Sequence, residues 1–506
     1  MKTFATLKEI ILLLELHKLH PFKNQTRPLD KKSKVWLLYR GIAEHKYQTD
    51  EEAFQALYGE ELHRASYRKL KNDLQAKLLD SVLSLNFSGT NYTDFQKAYY
   101  ETHKEWVTIR YLIGHNVNTA GMILANKLLR LADKFDFTLL CLDISSYMRI
   151  QYSLRDSNDK RFISANESFN HYFEIYEKEC LAEELYTSLI ALTVNKRASN
   201  KKVNIIANEH FSKIWPLMQQ FQSYRLQMNG FMIGLIKYST ENDFSSGLEL
   251  CDKAIEFFST RPYQAKVPLQ IFYYQNVIFH LQLKQADKAD YAINKCIELL
   301  EPGTFNWFKF YELYLTLLIH KEDYEGAGKI LNEALTNTRF EFLPDNAKEL
   351  WLIYGSYMNY LNLIGVGSQS DISKFRLAKF INEVPIFSKD KSGMNIAIII
   401  IKYLYLLLEK KYSKIIDDVE SIDQYCYRHL RGPGTRKSFV FIKLLLLIPN
   451  CNFDKDQIII KAQSYLWELR ISKTVVVDQM HEIEIVPYER LWGFALNSIF
   501  PPETVA

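Results

Sequence analysis

Residues that break or turn a chain are scarce in this sequence. Eighteen glycines and thirteen prolines are spread over 506 positions. Sheet proteins reverse direction often and consume Gly and Pro at each turn, so the scarcity favours long helices joined by short connections. Hydrophobic residues make up 47% of the chain and aromatics 14%, which supplies an extended core. A chain of this length forms about two to four domains or one long repeat array.

Apolar periodicity agrees with an all-α fold. Leu7, Ile10, Ile11, Leu14 and Leu16 make a helical stripe, and His20 to Lys34, with two prolines, reads as a loop. Val35 to His45 is a second helix. Thr49 to Glu52 forms a capping box that opens a third helix ending near Gly59. A fourth runs from about Ser66 to Leu85, with Leu70, Leu74, Leu78, Leu79, Val82 and Leu83 on its apolar side. Asn86 to Thr93 is a linker in composition. Helices follow from position 94 onward. Strand-like alternation is confined to Thr474–Val477 with Ile483–Val486, a short hairpin or a break between helices.

Helical chains of this length are tested for internal periodicity. Asp323, Tyr324, Glu325, Gly326 and Ala327, followed by Leu331, Ala334 and Leu335, place small residues seven apart on one helix, with Tyr311, Tyr314 and Leu318 upstream. Gly247, Cys251, Ala254 and Ile255 follow Asp243 and Phe244, with Phe231 and Tyr238 upstream. Ala289, Ile293, Cys296 and Ile297 follow Tyr273 and Tyr274. Trp351, Tyr354, Gly355 and Met358 form a further first helix, with its second near Phe375 to Phe380. Tyr412, Ile415, Val419 and Ile422 make a weaker instance, and Ala125, Leu129 and Ala132 suggest an earlier hairpin. Small residues let the two helices of a hairpin approach, and bulky ones fill the gap to the next.

This pattern resembles the tetratricopeptide repeat over about 231–360. The anchors Gly247, Ala289 and Ala327 stand 42 and 38 residues apart, longer than the family's roughly 34. The resemblance implies an α-solenoid of antiparallel helical hairpins, with a separate N-terminal unit at 1–90, atypical hairpins at 94–225, the repeat core at 226–425 and a C-terminal cap at 426–506. It further implies a groove for a peptide or helix, with inner-face positions Glu312, Thr316, His320, Ser356, Asn359 and Tyr360. The chain's own N- or C-terminal helices are the alternative occupants of that groove. The Lys and Asn clamp by which some members hold a C-terminal carboxylate is not visible at these positions.

Chemical motifs are few. Gly432 to Ser438 has the outline of a phosphate loop, but Arg436 replaces the glycine before the lysine and helix precedes it. His17 and His20 lack a third ligand. Gly365-Val366-Gly367 is a lone G-x-G. No nucleophile elbow, zinc-binding H-E-x-x-H or informative Cys/His spacing is present. No catalytic, cofactor-binding or metal residue is therefore assigned. The six cysteines are scattered without a C-x-x-C pair, as in a reducing compartment.

The net charge is +4, and positions 1–86 carry 15 basic and 11 acidic residues, a mild excess. The basic runs at Asn195–Lys202 and Arg428–Lys437 read as solvated loops. The apolar run Ile396–Leu408 contains Lys402 and is too short to span a bilayer as a helix. A cytoplasmic protein with no membrane partner is expected. Three functions follow. The first is a scaffold binding a protein segment in the groove. The second is a transcriptional regulator, in which the helix from Asp50 and the segment Ser66–Lys71 form a helix-turn-helix outline. There Arg64, Arg68, Lys69 and Lys71 would meet phosphates, and Ser66 and Tyr67 base edges. The third is an enzyme with a site between hairpins.

Overall fold

The computed structural model describes residues 2–16, 22, 32–59, 63–83, 93–156, 159–194, 200–283, 285–367, 394–430, 435–471 and 484–500. Among them there are helices and turns and no strand. The chain divides into two compact units, Met1–Glu105 and Trp106–Ala506. The division falls inside a helix, α5 (Asp94–Gly114), rather than in the expected linker, most of which lies outside the described residues.

The first unit is built by α1 (Lys2–Leu16), α2 (Lys34–Ala43), α3 (Asp50–Leu57) and α4 (Arg64–Leu83). The apolar stripes read from sequence meet in one core: Phe4, Leu7, Ile11 and Leu14 of α1, Leu38 and Ile42 of α2, Phe54 of α3, and Leu70, Leu74 and Leu78 of α4. Thr49 caps α3 by accepting the Glu52 N–H at 3.2 Å. Glu52 reaches back to the Gln48 N–H at 2.7 Å, one residue beyond the usual capping-box partner.

The second unit continues with α6 (Asn118–Lys134), α7 (Thr138–Gln151), α8 (Asp159–Val194), α9 (Asn200–Gln220), α10 (Tyr224–Glu241), α11 (Phe244–Ser259), α12 (Lys266–Gln282) and α13 (Ala286–Leu299). Then come α14 (Phe305–His320), α15 (Tyr324–Thr336), α16 (Asp345–Leu363), α17 (Met394–Leu408), α18 (Tyr412–His429), α19 (Arg436–Asn450), α20 (Lys455–Ile471) and α21 (Tyr488–Ile499). Helices adjacent in sequence pack on one another from α6 to α13 and from α14 to α20, as in an α-solenoid of hairpins. Asn306 of α14 donates to Gln270 of α12 at 3.0 Å and joins the two runs. The last helix departs from this order: α21 packs back on α17, α19 and α20.

The repeat is written most regularly in the backbone. From α10 onward, the first helix of a hairpin ends with an N–H bonded to the carbonyl five residues back, which satisfies an orphan carbonyl of the last turn; α5 and α6 also close this way, at Val117 and Phe137. These bonds run from Asp243 to Tyr238, Gln285 to His280, Asp323 to Leu318, Val366 to Leu361, Lys411 to Leu406 and Phe453 to Ile448, each 2.9 or 3.0 Å. The donors stand 42, 38, 43, 45 and 42 residues apart. The residue before the donor is left-handed at Asn242, Glu322, Gly365, Lys410 and Asn452. Only Gly365 adopts that conformation without crowding a Cβ. The hairpin period therefore extends to 453, well beyond the window where side-chain types reveal it.

The small residue at Gly247 makes room between successive hairpins, not between the two helices of one hairpin as expected. A Cβ on Gly247 of α11 would lie 2.6 Å from the Phe279 ring of α12. Ala254, Ala289, Ala327 and Ala334 are fully buried. The apolar run at 396–408 is the buried helix α17, and no helix among the described residues is long and apolar enough to cross a membrane. Five cysteines are buried and Cys180 is exposed; all six are free thiols. The second helix expected at Phe375–Phe380 lies outside the described residues, as does the strand-like segment up to Ile483. Glu484 to Val486 form no strand.

Candidate functional site

The first helices α14, α16, α17 and α19 lie side by side, tied by tyrosine hydroxyls. Tyr354 of α16 meets Thr316 of α14 at 3.0 Å. Tyr357 of α16 donates to Ala397 O of α17 at 2.8 Å, and Tyr405 of α17 donates back to Ser356 O at 2.9 Å. Tyr403 of α17 donates to Leu445 O of α19 at 2.8 Å. A buried hydroxyl must find a partner, and here each finds it on the neighbouring hairpin.

All six expected groove residues lie on α14 and α16, but they do not form an exposed lining. Ser356 and Tyr360 are wholly buried, Thr316 and Glu312 nearly so, and Asn359 and His320 partly. Asn359 donates to Tyr405 OH at 2.8 Å, and Tyr360 packs edge-on to Tyr405. Glu312 accepts from Lys309 at 2.8 Å while its other oxygen has no partner. Burial holds its carboxyl above the usual range, against the pull of Lys309. The reading of these positions as open partner contacts is corrected. They are packed into the stack, and the chain's own C-terminal segment, 484–499, covers the face at His320 and Tyr360.

That segment is held like a ligand. Glu484 places its carboxylate on Lys437 Nζ at 2.7 and 2.8 Å, with both side chains almost wholly buried. The same carboxylate accepts the Tyr488 N–H at 2.8 Å and so caps α21. Glu484 O lies 2.9 Å from His320 Nε2. Burial lowers the His320 pKa, opposed by the Glu484 contact. The Tyr488 ring stacks on Phe441 with centroids 4.4 Å apart, and its hydroxyl meets Ser438 at 2.6 Å. Arg490 reaches Glu322 at 2.6 Å and Ile319 O at 3.3 Å. Ile485, Val486, Leu491, Trp492 and Ala495 are buried. At the far end Ser498 neighbours Tyr360, but gives its proton to Phe494 O at 2.8 Å. Sequence reading missed Lys437, Glu484, Tyr488 and Arg490. They are separated in sequence from α14 and α16, and only folding back brings them together.

A second polar region is a pocket of about 210 Å³ lined by Asp133, Asp136, Thr138, Cys141, His171 and Tyr172, among others. Its carboxylates already tie hairpins together. Asp133 accepts from Tyr172 at 2.9 Å, and Asp136 accepts from Tyr263 at 2.8 Å and Arg261 at 3.2 Å. Burial raises the Asp136 pKa, with those two donors pulling it down. Behind the pocket, Glu179 accepts from Thr138 at 2.7 Å. No cluster of three or more His, Cys, Asp or Glu suited to a metal occurs among the described residues.

The residues named as nucleic-acid contacts are divided. Lys71 is buried and bonds Asp50 at 2.8 and 2.9 Å, and Tyr67 is buried with its hydroxyl 2.9 Å from Asp50. Arg64 bonds Glu51 at 2.9 Å and lies over the Phe54 ring. Arg68, Lys69 and Ser66 are exposed. Lys71 and Tyr67 are therefore internal pins of the unit rather than phosphate or base contacts. His17, His20 and most of the glycine-rich turn before Lys437 lie outside the described residues, whereas Lys437 itself points into the core as the Glu484 partner.

The chain matches no protein-family model, no curated protein and no solved structure.

Proposed function

We propose that the chain is a tetratricopeptide-like scaffold that binds a segment of a partner protein on the face formed by its first helices. The observation that supports this reading best is the docking of 484–499. This face accepts a sixteen-residue segment through an ion pair, a stacked tyrosine and a guanidinium on a helix C-terminus. Those are the contact types by which helical grooves hold partner helices. The small-residue anchors at Gly247, Ala289 and Ala327 and the hairpin period support the family resemblance, with hairpins longer than the family's usual length.

The test is affinity capture by the full chain from its own cytoplasm, with two charge changes beside it. Glu322→Arg alters the docking face, and Lys329→Glu alters the exposed side of α15, where Lys329 pairs with Glu325. The expected result is one partner recovered by the wild type and by Lys329→Glu and lost with Glu322→Arg. Recovery by all three would remove the docking face from the reading.

A further inference from the structure

A terminal helix that serves only to close a stack needs an apolar face. The segment 484–499 has one, but its entry is polar and specific. Lys437 is buried against Glu484, and Ser438, His320 and the Ile319 carbonyl each meet a polar group of the segment. Burying a lysine and a carboxylate costs desolvation that a pair of apolar side chains would avoid, so the pair specifies what docks rather than adding stability. Two charges of opposite sign, Lys437 and Glu322, receive Glu484 and Arg490, six residues apart.

We propose that residues 484–499 are a displaceable cis ligand, and that the face they cover binds in trans a protein segment of the same pattern. That segment carries a carboxylate, two apolar residues, a proline and an aromatic that open a helix, and an arginine six residues after the carboxylate. This rests on the scaffold reading and adds its regulation: a partner must compete with the chain's own end. The apparent affinity for a trans segment is reduced by the fraction of molecules in which the cis copy is docked.

The probe is a fluorescein-labelled peptide of sequence 484–499, followed by anisotropy with full-length protein. Arg490→Ala weakens only the cis copy and leaves the receiving face intact. It should bind the wild-type peptide at least about threefold tighter than the wild-type protein does. Glu322→Arg should lose the wild-type peptide and bind a peptide carrying Arg490→Glu. If Arg490→Ala does not fold, excess unlabelled peptide added to the wild type gives the same answer, since displacement raises protease cleavage within the chain's own 484–499. Equal peptide binding by wild type and Arg490→Ala overturns the proposal, as does unchanged cleavage under excess peptide. Dimerisation of the wild type that the peptide reverses would give the face to a second copy and overturn the assignment to a partner. A partner captured through Glu322 without any exchange leaves the scaffold standing and makes 484–499 a fixed cap.

Discussion

Replacing Lys437 with methionine isolates the buried pair that admits the C-terminal segment. The ammonium lies 2.7 Å from one Glu484 oxygen and 2.8 Å from the other, and the side chains are 6% and 3% exposed. At an effective dielectric of about 20, attraction at this distance is about 6 kcal/mol, and the desolvation of both ions takes back much of it. Removing the lysine alone leaves a buried carboxylate without its cation, which costs about 3–5 kcal/mol. The loss falls on docking of 484–499, because Glu484 enters the core only there. A helical stack opens in parts, so the readout is hydrogen exchange of the amides of α21 rather than a global melt. Protection of 488–499 should fall by about 10²- to 10³-fold in Lys437→Met. Lys437→Met with Glu484→Gln removes both charges and keeps an acceptor for the Tyr488 N–H. Protection should then return to within about tenfold of wild type. A single variant that loses less than about tenfold, or a double variant as unprotected as the single one, refutes the account of this pair.

Other consequences follow from particular contacts. Gly247→Val drives a side chain into the Phe279 ring, 2.6 Å from the Cβ position, and should lower stability by about 1–3 kcal/mol; Gly493→Ala, with open space around it, should not, and thermal melts compare them. Burial lowers the His320 pKa against the Glu484 contact, so the folded state resists its protonation. This support is fully present above about pH 6.5 and weakens as pH falls below it. Protease cleavage within 484–499 should rise over that interval in the wild type and less in His320→Gln. Lys437, Glu484 and Arg490 face the same ring. Glu312 has a raised pKa and one unpaired oxygen, so Glu312→Gln should melt higher than wild type, by a margin that grows as pH rises from 4 to 7. In the N-terminal unit, burial works to raise the Asp50 pKa, but bonds from Lys71 and Tyr67 overcome it and leave it lowered. The unit should lose this support as pH falls below about 4, and Lys71→Met should abolish that acid dependence in circular dichroism.

Much of the fold was legible because it is local. Helix against strand is decided by turn-residue scarcity and apolar period, and the stripes of α1 and α4 entered the core that their spacing implies. The capping box at Thr49 was visible for the same reason: a few neighbouring residues determine it. The repeat beyond 360 was legible only weakly, at Tyr412, Ile415, Val419 and Ile422. Its turns close through backbone bonds that Asn, Glu, Gly and Lys all satisfy in the left-handed position, so no residue type marks them.

The sequence by itself determined that the chain is helical, where hairpins begin between 231 and 360, and which small residues sit between them. Only the tertiary structure decided which of the polar positions are buried. Glu312, Thr316, Ser356 and Tyr360 have the mixed polarity of a groove lining, but all four are buried in the stack, and Thr316 spends its hydroxyl on Tyr354 of the neighbouring hairpin. Lys71 and Lys437 read as surface charges, yet each lies buried on an acidic side chain, at Asp50 and at Glu484. The physical reason is that burial of a polar group depends on a partner brought by the fold, and for Lys437 that partner stands 47 residues away.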